Sequence, residues 1–355
     1  MASSQHVDIP GVRVHYLQQG SGPEAVVLLH GFPQTSHQWR HQLRALAEAG
    51  YACFAPDNRG FGGTDKPDVR ISRALLARDV TRFMDAVGLE SAHVVAHDWG
   101  GIIAFKLVAD HPQRVRSIAL LDTLLTVWPP QAVHGWWFKA EGLPEALFAA
   151  HHRTFIEVAF GGRDAADLPG APASPWARTG LGGTGGGRPA WVDAESLDHY
   201  LEAFSDPASW AAAIQYYRYG LPFHLVDDGG GAERYRCLSE REVGAMWLHE
   251  GGFDAHPDRW RQHDVAPEDR STRFEQPALW LQARGRERGR RAKREPAGGR
   301  STTAPASAFV AQFAQCFGAL ATQGVASGHF LAEEAPDEVN AALLGFLGPA
   351  GGGRA

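Results

Sequence analysis

The segment Ala96–His97–Asp98–Trp99–Gly100 has the residue types and spacing of a nucleophile held on a sharp turn. It follows the apolar run HVVA and precedes a stretch with helical periodicity. Small residues two before and two after a central acid permit a tight strand-to-helix turn. Such a turn holds the acid out at the C-terminal edge of a sheet. A helix N-terminus behind it favours an anion, which suits a carboxylate nucleophile. Asp98 can equally serve as a plain helix N-cap, so other segments have to decide. His30–Gly31–Phe32–Pro33 follows the strand-like AVVLL and offers a backbone N–H at Phe32. That donor and the N–H of Trp99 would together make an oxyanion hole. Near the end, Ser327–Gly328–His329–Phe330 carries the only histidine after His263. A nucleophile–acid–histidine triad in this setting runs in that chain order, which selects His329 as the base.

Holding these residues together requires a parallel sheet. Ala25–Leu29, Tyr51–Ala55, His93–Ala96 and Ser117–Leu121 read as buried parallel strands. Trp39–Ala49 and Leu75–Val87 have helical apolar spacing between them. Strand, helix and strand in repeated order predict an α/β fold with right-handed crossovers. The order stops after Asp122: residues 123–264 read as helices and loops and hold eight of the eleven tryptophans. Strand character returns at Pro277–Leu281, and an amphipathic helix follows at Asp337–Leu347. A length of 355 residues would suggest two domains at ~150 each. The pattern instead predicts one mostly parallel sheet, residues 1–122 and 265–355, with residues 123–264 inserted after the sixth strand as a helical lid.

Composition narrows the function classes. A formal net charge of −6 argues against a general nucleic-acid binder. Cys53, Cys237 and Cys316 are odd in number and form no C-x-x-C pair, so no disulfide framework is expected. The first twenty residues lack a basic start followed by an apolar run, and no apolar stretch approaches the ~18–20 residues of a membrane span. A cytoplasmic protein that makes no membrane contact is the expectation. His249, Glu250, His256 and His263 match no ligand spacing, and Gly180–Gly187 follows no strand and lacks the Lys-Ser/Thr ending of a phosphate loop. Neither a metal nor a cofactor is expected. Arg284–Arg300 packs eight basic residues into seventeen positions, most simply a solvated loop. The abrupt change of composition there also leaves open a stretch near Gln282–Gln323 read in a shifted frame.

The motifs HGFPQTSHQWR (His30–Arg40), DNRGFGGTDKP (Asp57–Pro67), HDWGG (His97–Gly101) and SGHFLAEEAPDE (Ser327–Glu338) resemble the α/β-hydrolase superfamily. The resemblance is to the branch containing epoxide hydrolases, haloalkane dehalogenases and haloacetate dehalogenases. It implies that Asp98 displaces a leaving group at a saturated carbon to give an alkyl ester. Water activated by His329 then attacks that ester, and the oxyanion hole holds the tetrahedral anion. Asp122, at the end of SIALLD, is the acid expected to orient His329. Haloacetate dehalogenases and some haloalkane dehalogenases carry the acid in the matching place, whereas epoxide hydrolases usually place it after the seventh strand.

Leaving-group choice falls to the lid. In Ile214–Arg218 the resemblance makes Tyr217 the proton donor to an epoxide oxygen. The second lid tyrosine of epoxide hydrolases falls near His134, and the dehalogenases' halide-binding pair matches Gly135 and Trp136. Haloacetate dehalogenases bind the substrate carboxylate with two arginines, where this chain has Trp99 and Ile102. A small neutral organic substrate is therefore expected, since an unpaired buried carboxylate is costly. Epoxide hydrolysis to a diol is the leading reading, carbon–halogen hydrolysis the alternative, and a catalytically impaired binding protein on the same fold a third. Oligomeric state is not legible.

Overall fold

The computed structural model describes residues 2–123, 134–138, 142–160, 192–220, 273–283 and 316–350, without the side chains of His134, Trp136 and Val158. Eight strands form one sheet: β1 (Ser3–Ile9), β2 (Val12–Gln19), β3 (Glu24–Leu29), β4 (Tyr51–Pro56), β5 (Ala92–His97), β6 (Val115–Leu121), β7 (Ala278–Ala283) and β8 (Leu320–Val325). Their spatial order is β1-β2-β4-β3-β5-β6-β7-β8. β1 with β2 and β2 with β4 are antiparallel, and every later pairing is parallel.

Each central strand is apolar on both sides because each face is covered. α2 (Arg73–Ala86) and α3 (Trp99–Asp110) pack on one face through Leu76, Val80, Phe83, Ile102 and Ile103. α1 (Arg40–Glu48) packs on the other through Leu43 and Leu46. Val94 and Val95, neighbours on β5, enter opposite cores. Side-chain alternation on a strand requires that split. Ser72 caps α2 by accepting the Leu75 N–H at 3.2 Å.

Between β6 and β7 the described chain is helical: α4 (His134–Trp137), α5 (Leu143–Ala159), α6 (Ala194–Ala203) and α7 (Pro207–Gln215). Asp193 caps α6, and Asp206 caps α7 with Pro207 in its first turn. α7 runs into a wider turn of π type, Tyr216–Gly220. The tail adds α8 (Leu331–Glu334) and α9 (Pro336–Leu347), the latter lying beside α1 and burying Val339, Leu343 and Leu347.

β1, β2 and β8 depart from the expected order. Val12, Val14 and Tyr16 of β2 alternate with polar residues and point into the core, a period-two pattern rather than an apolar run. β8 reads LATQGV and is an edge strand with Ala321–Gln323 exposed, so it needs no apolar run. Both ends of Gln282–Gln323 enter the sheet, with Leu320–Gln323 in register with Ala278–Leu281. Residues 284–315 lie outside the described residues. Among the described residues, no helix is long and apolar enough to cross a membrane.

Candidate active site

The chain order reverses direction in the sheet between β3 and β5, and ligands of open α/β sheets bind at the carboxyl ends of the strands beside such a point. Asp98 stands there, between β5 and α3, at φ 48° and ψ −117°. A non-glycine residue in that region is strained and is held by what surrounds it. The neighbouring glycines explain why the turn closes. A Cβ on Gly31 would lie 2.4 Å from the Asp98 Cβ, and one on Gly100 would lie 2.1 Å from the Leu29 carbonyl oxygen. The Thr123 hydroxyl donates to the Asp98 carbonyl at 2.6 Å.

Phe32 donates its N–H to Asp98 Oδ1 at 2.7 Å. The loop that presents it is fastened from below. His30 donates from Nδ1 to the Gly31 carbonyl at 2.9 Å, while its Nε2 accepts the Asn58 N–H at 2.9 Å. Trp99 is the first residue of α3, so its N–H has no acceptor within the helix. Phe32 thus donates to the carboxylate, and the N–H of Trp99, next to Asp98 in the chain, is the second donor the turn offers.

His329 meets both acids. Its Nδ1 donates to Asp122 Oδ2 at 2.7 Å, and its Nε2 lies 3.6 Å from Asp98 Oδ2. Asp122, at φ 36°, is aimed by a 2.8 Å bond from its N–H to the Leu281 carbonyl, and its Oδ1 accepts the Ala283 N–H at 3.3 Å. The His329 loop is fixed by Glu334, whose carboxylate accepts the Gly328 N–H at 2.7 Å and the Phe330 N–H at 3.1 Å. Burial opposes charge on His329, but its hydrogen bond to Asp122, its close contact with Asp98 and the charges of both push it up to about 10. Burial likewise opposes charge on Asp98, and the His329 contact outweighs it and holds the carboxyl at about 2. The resting site is therefore an ion pair: a carboxylate beside an imidazolium. Such an arrangement can attack an electrophile with the carboxylate and, once that charge is consumed, use the imidazole as a base.

Across from the acid, adjacent tyrosines take different tasks. Tyr216 donates its hydroxyl to the Arg59 carbonyl at 2.7 Å, a bond to the fold. Tyr217 packs edge-on against Trp99, Phe32 and Phe138, with ring centroids 5.1, 5.6 and 4.6 Å away. Burial and then the charge of Asp98 raise its phenol well above the usual value, so it is a neutral hydroxyl within the field of that carboxylate. The backbone of His134 and Trp136 falls in α4, but their side chains lie outside the described residues. His249, Glu250, His256 and His263 also lie outside them, and among the described residues no cluster of metal-binding side chains occurs.

Two further features of the site had no role assigned from sequence. His97 donates from Nε2 to the His329 carbonyl at 2.9 Å, and its ring lies 4.8 Å from that of His329. Burial, then the charge on His329, lowers it to about 4, so it is neutral. Glu333 is fully enclosed and accepts from Gln34, Arg40 and the Tyr200 hydroxyl. Both residues lie inside the quoted motifs, but only their placement reveals these partners.

A family model described as the alpha/beta hydrolase fold matches residues 24–170. The chain is 32% identical over 237 residues to epoxide hydrolase A of Mycobacterium tuberculosis, covering 60% of this chain and 72% of that protein. The chain belongs to the α/β-hydrolase family. The hydrolase is also 31% identical over 248 residues to a fluoroacetate dehalogenase of Burkholderia, covering 65% of this chain and 74% of that one. It spans only 21% of the bifunctional epoxide hydrolase 2 of Sus scrofa, at 41% identity over 116 residues, which is 32% of this chain. The crystal structure of epoxide hydrolase A from Mycobacterium thermoresistibile superposes with a TM-score of 0.65 over 98% of both chains at 23% identity, a likeness of fold.

Proposed function

We propose that this hydrolase opens small, neutral epoxides to diols through an ester on Asp98. The observation that carries the reading is the buried, neutral Tyr217 hydroxyl, which feels the charge of an Asp98 held ionised by His329. Asp98 Oδ2 attacks an epoxide carbon, the carbon–oxygen bond breaks, and the leaving oxygen takes the Tyr217 proton. The resulting phenolate is strongly basic in this setting and is reprotonated at the expense of the imidazolium. Neutral His329, oriented by Asp122, then takes a proton from water, which attacks the ester carbonyl carbon. The N–H groups of Phe32 and Trp99 hold the oxyanion that forms on Oδ1. That anion collapses by breaking the bond from the Asp98 carboxyl carbon to the alkyl oxygen, which leaves as the diol with the His329 proton. The new Asp98 carboxyl returns its proton to His329. No cofactor enters this sequence.

Trp99 and Ile102 are buried and apolar, which supports a substrate without a carboxylate. Residues 123–264 act as one lid over the site, and His134 and Trp136 join Tyr217 in choosing the leaving group. Three cysteines without a disulfide framework fit a cytoplasmic setting.

One observation favours the second reading, carbon–halogen hydrolysis. The acid paired with His329 follows the sixth strand, as in the dehalogenases of the same branch. The deciding experiment is mass spectrometry of His329→Asn after incubation with styrene oxide or with 1-bromobutane, alongside diol and bromide assays of the unmodified protein. An ester on Asp98 from the epoxide, with diol released, supports the proposal. An ester only from the bromide shifts the assignment to a dehalogenase. No adduct from either points to the third reading, a binding protein.

A further inference from the structure

A second arrangement of nucleophile, base and acid lies at the other side of the sheet. On the β1–β2 hairpin, His6 pairs with His15 and Ser4 with Leu17, so Ser4, His6 and His15 share one face. Ser4 Oγ lies 2.8 Å from His15 Nε2, and His15 Nδ1 lies 2.7 Å from Asp57 Oδ2. The directions of these bonds follow from their partners. Asp57 is held at about 2: burial works against its charge, but the His15 hydrogen bond and nearby histidines outweigh it. An ionised carboxylate only accepts, so His15 Nδ1 carries the proton. In the neutral ring Nε2 is then the lone pair, and the Ser4 hydroxyl donates to it. Asp57 is itself fixed by the Ser36 N–H at 2.6 Å and the Gly63 N–H at 2.9 Å. The His15 backbone is tied through its N–H to the Thr64 hydroxyl at 3.0 Å.

We propose that Ser4, His15 and Asp57 form a second nucleophilic site whose substrates are acyl esters with good leaving groups. β2, β4 and β3 separate β1 from β5, so Ser4 stands apart from Asp98 in the sheet, while Asp57 borders the Asp98 loop through Asn58 and His30. Its members have graded exposure: Ser4 is exposed, while the side chains of His15 and Asp57 are 15% and 2% exposed. A donor reaches the hydroxyl while the base and its orienting acid stay sheltered. β1 is an edge strand, so its outer backbone is open to an incoming ester. The step balances without a co-reactant. Ser4 Oγ bonds to the acyl carbon and its proton passes to His15 Nε2. The bond to the leaving alkoxide breaks, and that proton leaves with the alcohol. Water then releases the acid by the same route.

The test uses a fluorophosphonate probe on the full chain. Ser4 displaces fluoride at phosphorus and keeps a stable adduct located by peptide mass spectrometry. Ser3, adjacent and also exposed, donates to the Gln18 carbonyl and has no histidine partner among the described residues, so it is an internal control. Labelling of Ser4 about 100-fold faster than Ser3, lost by a similar factor in His15→Gln, is the expected result, since a positioned base contributes about 100-fold or more. The Asp98→Asn protein should label at the same rate, and wild type but not Ser4→Ala should accumulate acetyl-Ser4 from p-nitrophenyl acetate. Equal labelling of Ser3 and Ser4, an unchanged rate in a folded His15→Gln, or no adduct on Ser4 overturns the proposal. If His15→Gln fails to fold, the Ser4:Ser3 ratio decides alone.

Discussion

Asp98 and His329 are opposite charges while the site rests, and the proposed ester on Asp98 would remove one of them. The Asp98 carboxylate stays ionised down to about pH 2 and His329 stays protonated up to about 10, so alkylation should be nearly flat between pH 4 and 9. Ester hydrolysis needs the neutral imidazole. With Asp98 esterified, His329 loses the charge that lay 3.6 Å from Nε2, so its midpoint must fall below 10. Single-turnover measurements should therefore show a pH-independent first phase and a second phase that slows as pH drops. A second phase that speeds up on acidification contradicts His329 as the base. The two tyrosines offer a separate check. Tyr217→Phe should lower epoxide kcat about 100-fold, the scale of a lost general acid, with little effect on an alkyl bromide. Tyr216→Phe loses only its bond to the Arg59 carbonyl, a stability cost of about 1 kcal/mol, and should leave kcat nearly unchanged.

The elbow between β5 and α3 depends on backbone approaching backbone. Gly100→Ala would place a methyl 2.1 Å from the Leu29 carbonyl oxygen, where neither the strand nor the helix can yield cheaply. Urea unfolding should show a loss of several kcal/mol, the range of severe overpacking, together with loss of activity. Gly345→Ala in α9 meets nothing within 4 Å and should be neutral or slightly stabilising, by about 0.5–1 kcal/mol from helix propensity. The elements flanking the elbow were legible because burial on both faces writes an apolar run, as in AVVLL, HVVA and SIALL. The β1–β2 hairpin and β8 were not, because one face of each is wet and their apolar residues alternate or thin out. The site shows the same division. Asp98, Phe32 and His329 follow from local turn chemistry and chain order, and the structure brings them together. Tyr217 and Asp122 came from family likeness, since sequence spacing does not tell Tyr217 from Tyr216. Glu333 in contact with Tyr200 depends on long-range packing that no local pattern encodes.

At the scale of the whole molecule, the sheet core and the helices inserted between β6 and β7 meet around one side chain. Phe32 donates its backbone N–H to Asp98, while its ring packs against Phe61 of the core and Phe138, Phe155, Phe204, Trp210 and Tyr217 of the inserted helices. The residue whose backbone N–H holds Asp98 is thus also one against which the inserted segment packs. Truncating it separates the two tasks, because the backbone N–H remains while the ring is lost. Phe32→Ala should cost about 3–5 kcal/mol for a buried ring, read as a lower urea midpoint. The surviving N–H should keep the ester on Asp98 hydrolysable, so the second kinetic phase persists. The removed ring also leaves room beside Tyr217, so kcat/KM for a bulky aryl epoxide should rise relative to that for propylene oxide. A uniform loss for both substrates would mean that Phe32 only holds the fold. A selective gain for the larger one would make the lid contact a determinant of substrate size.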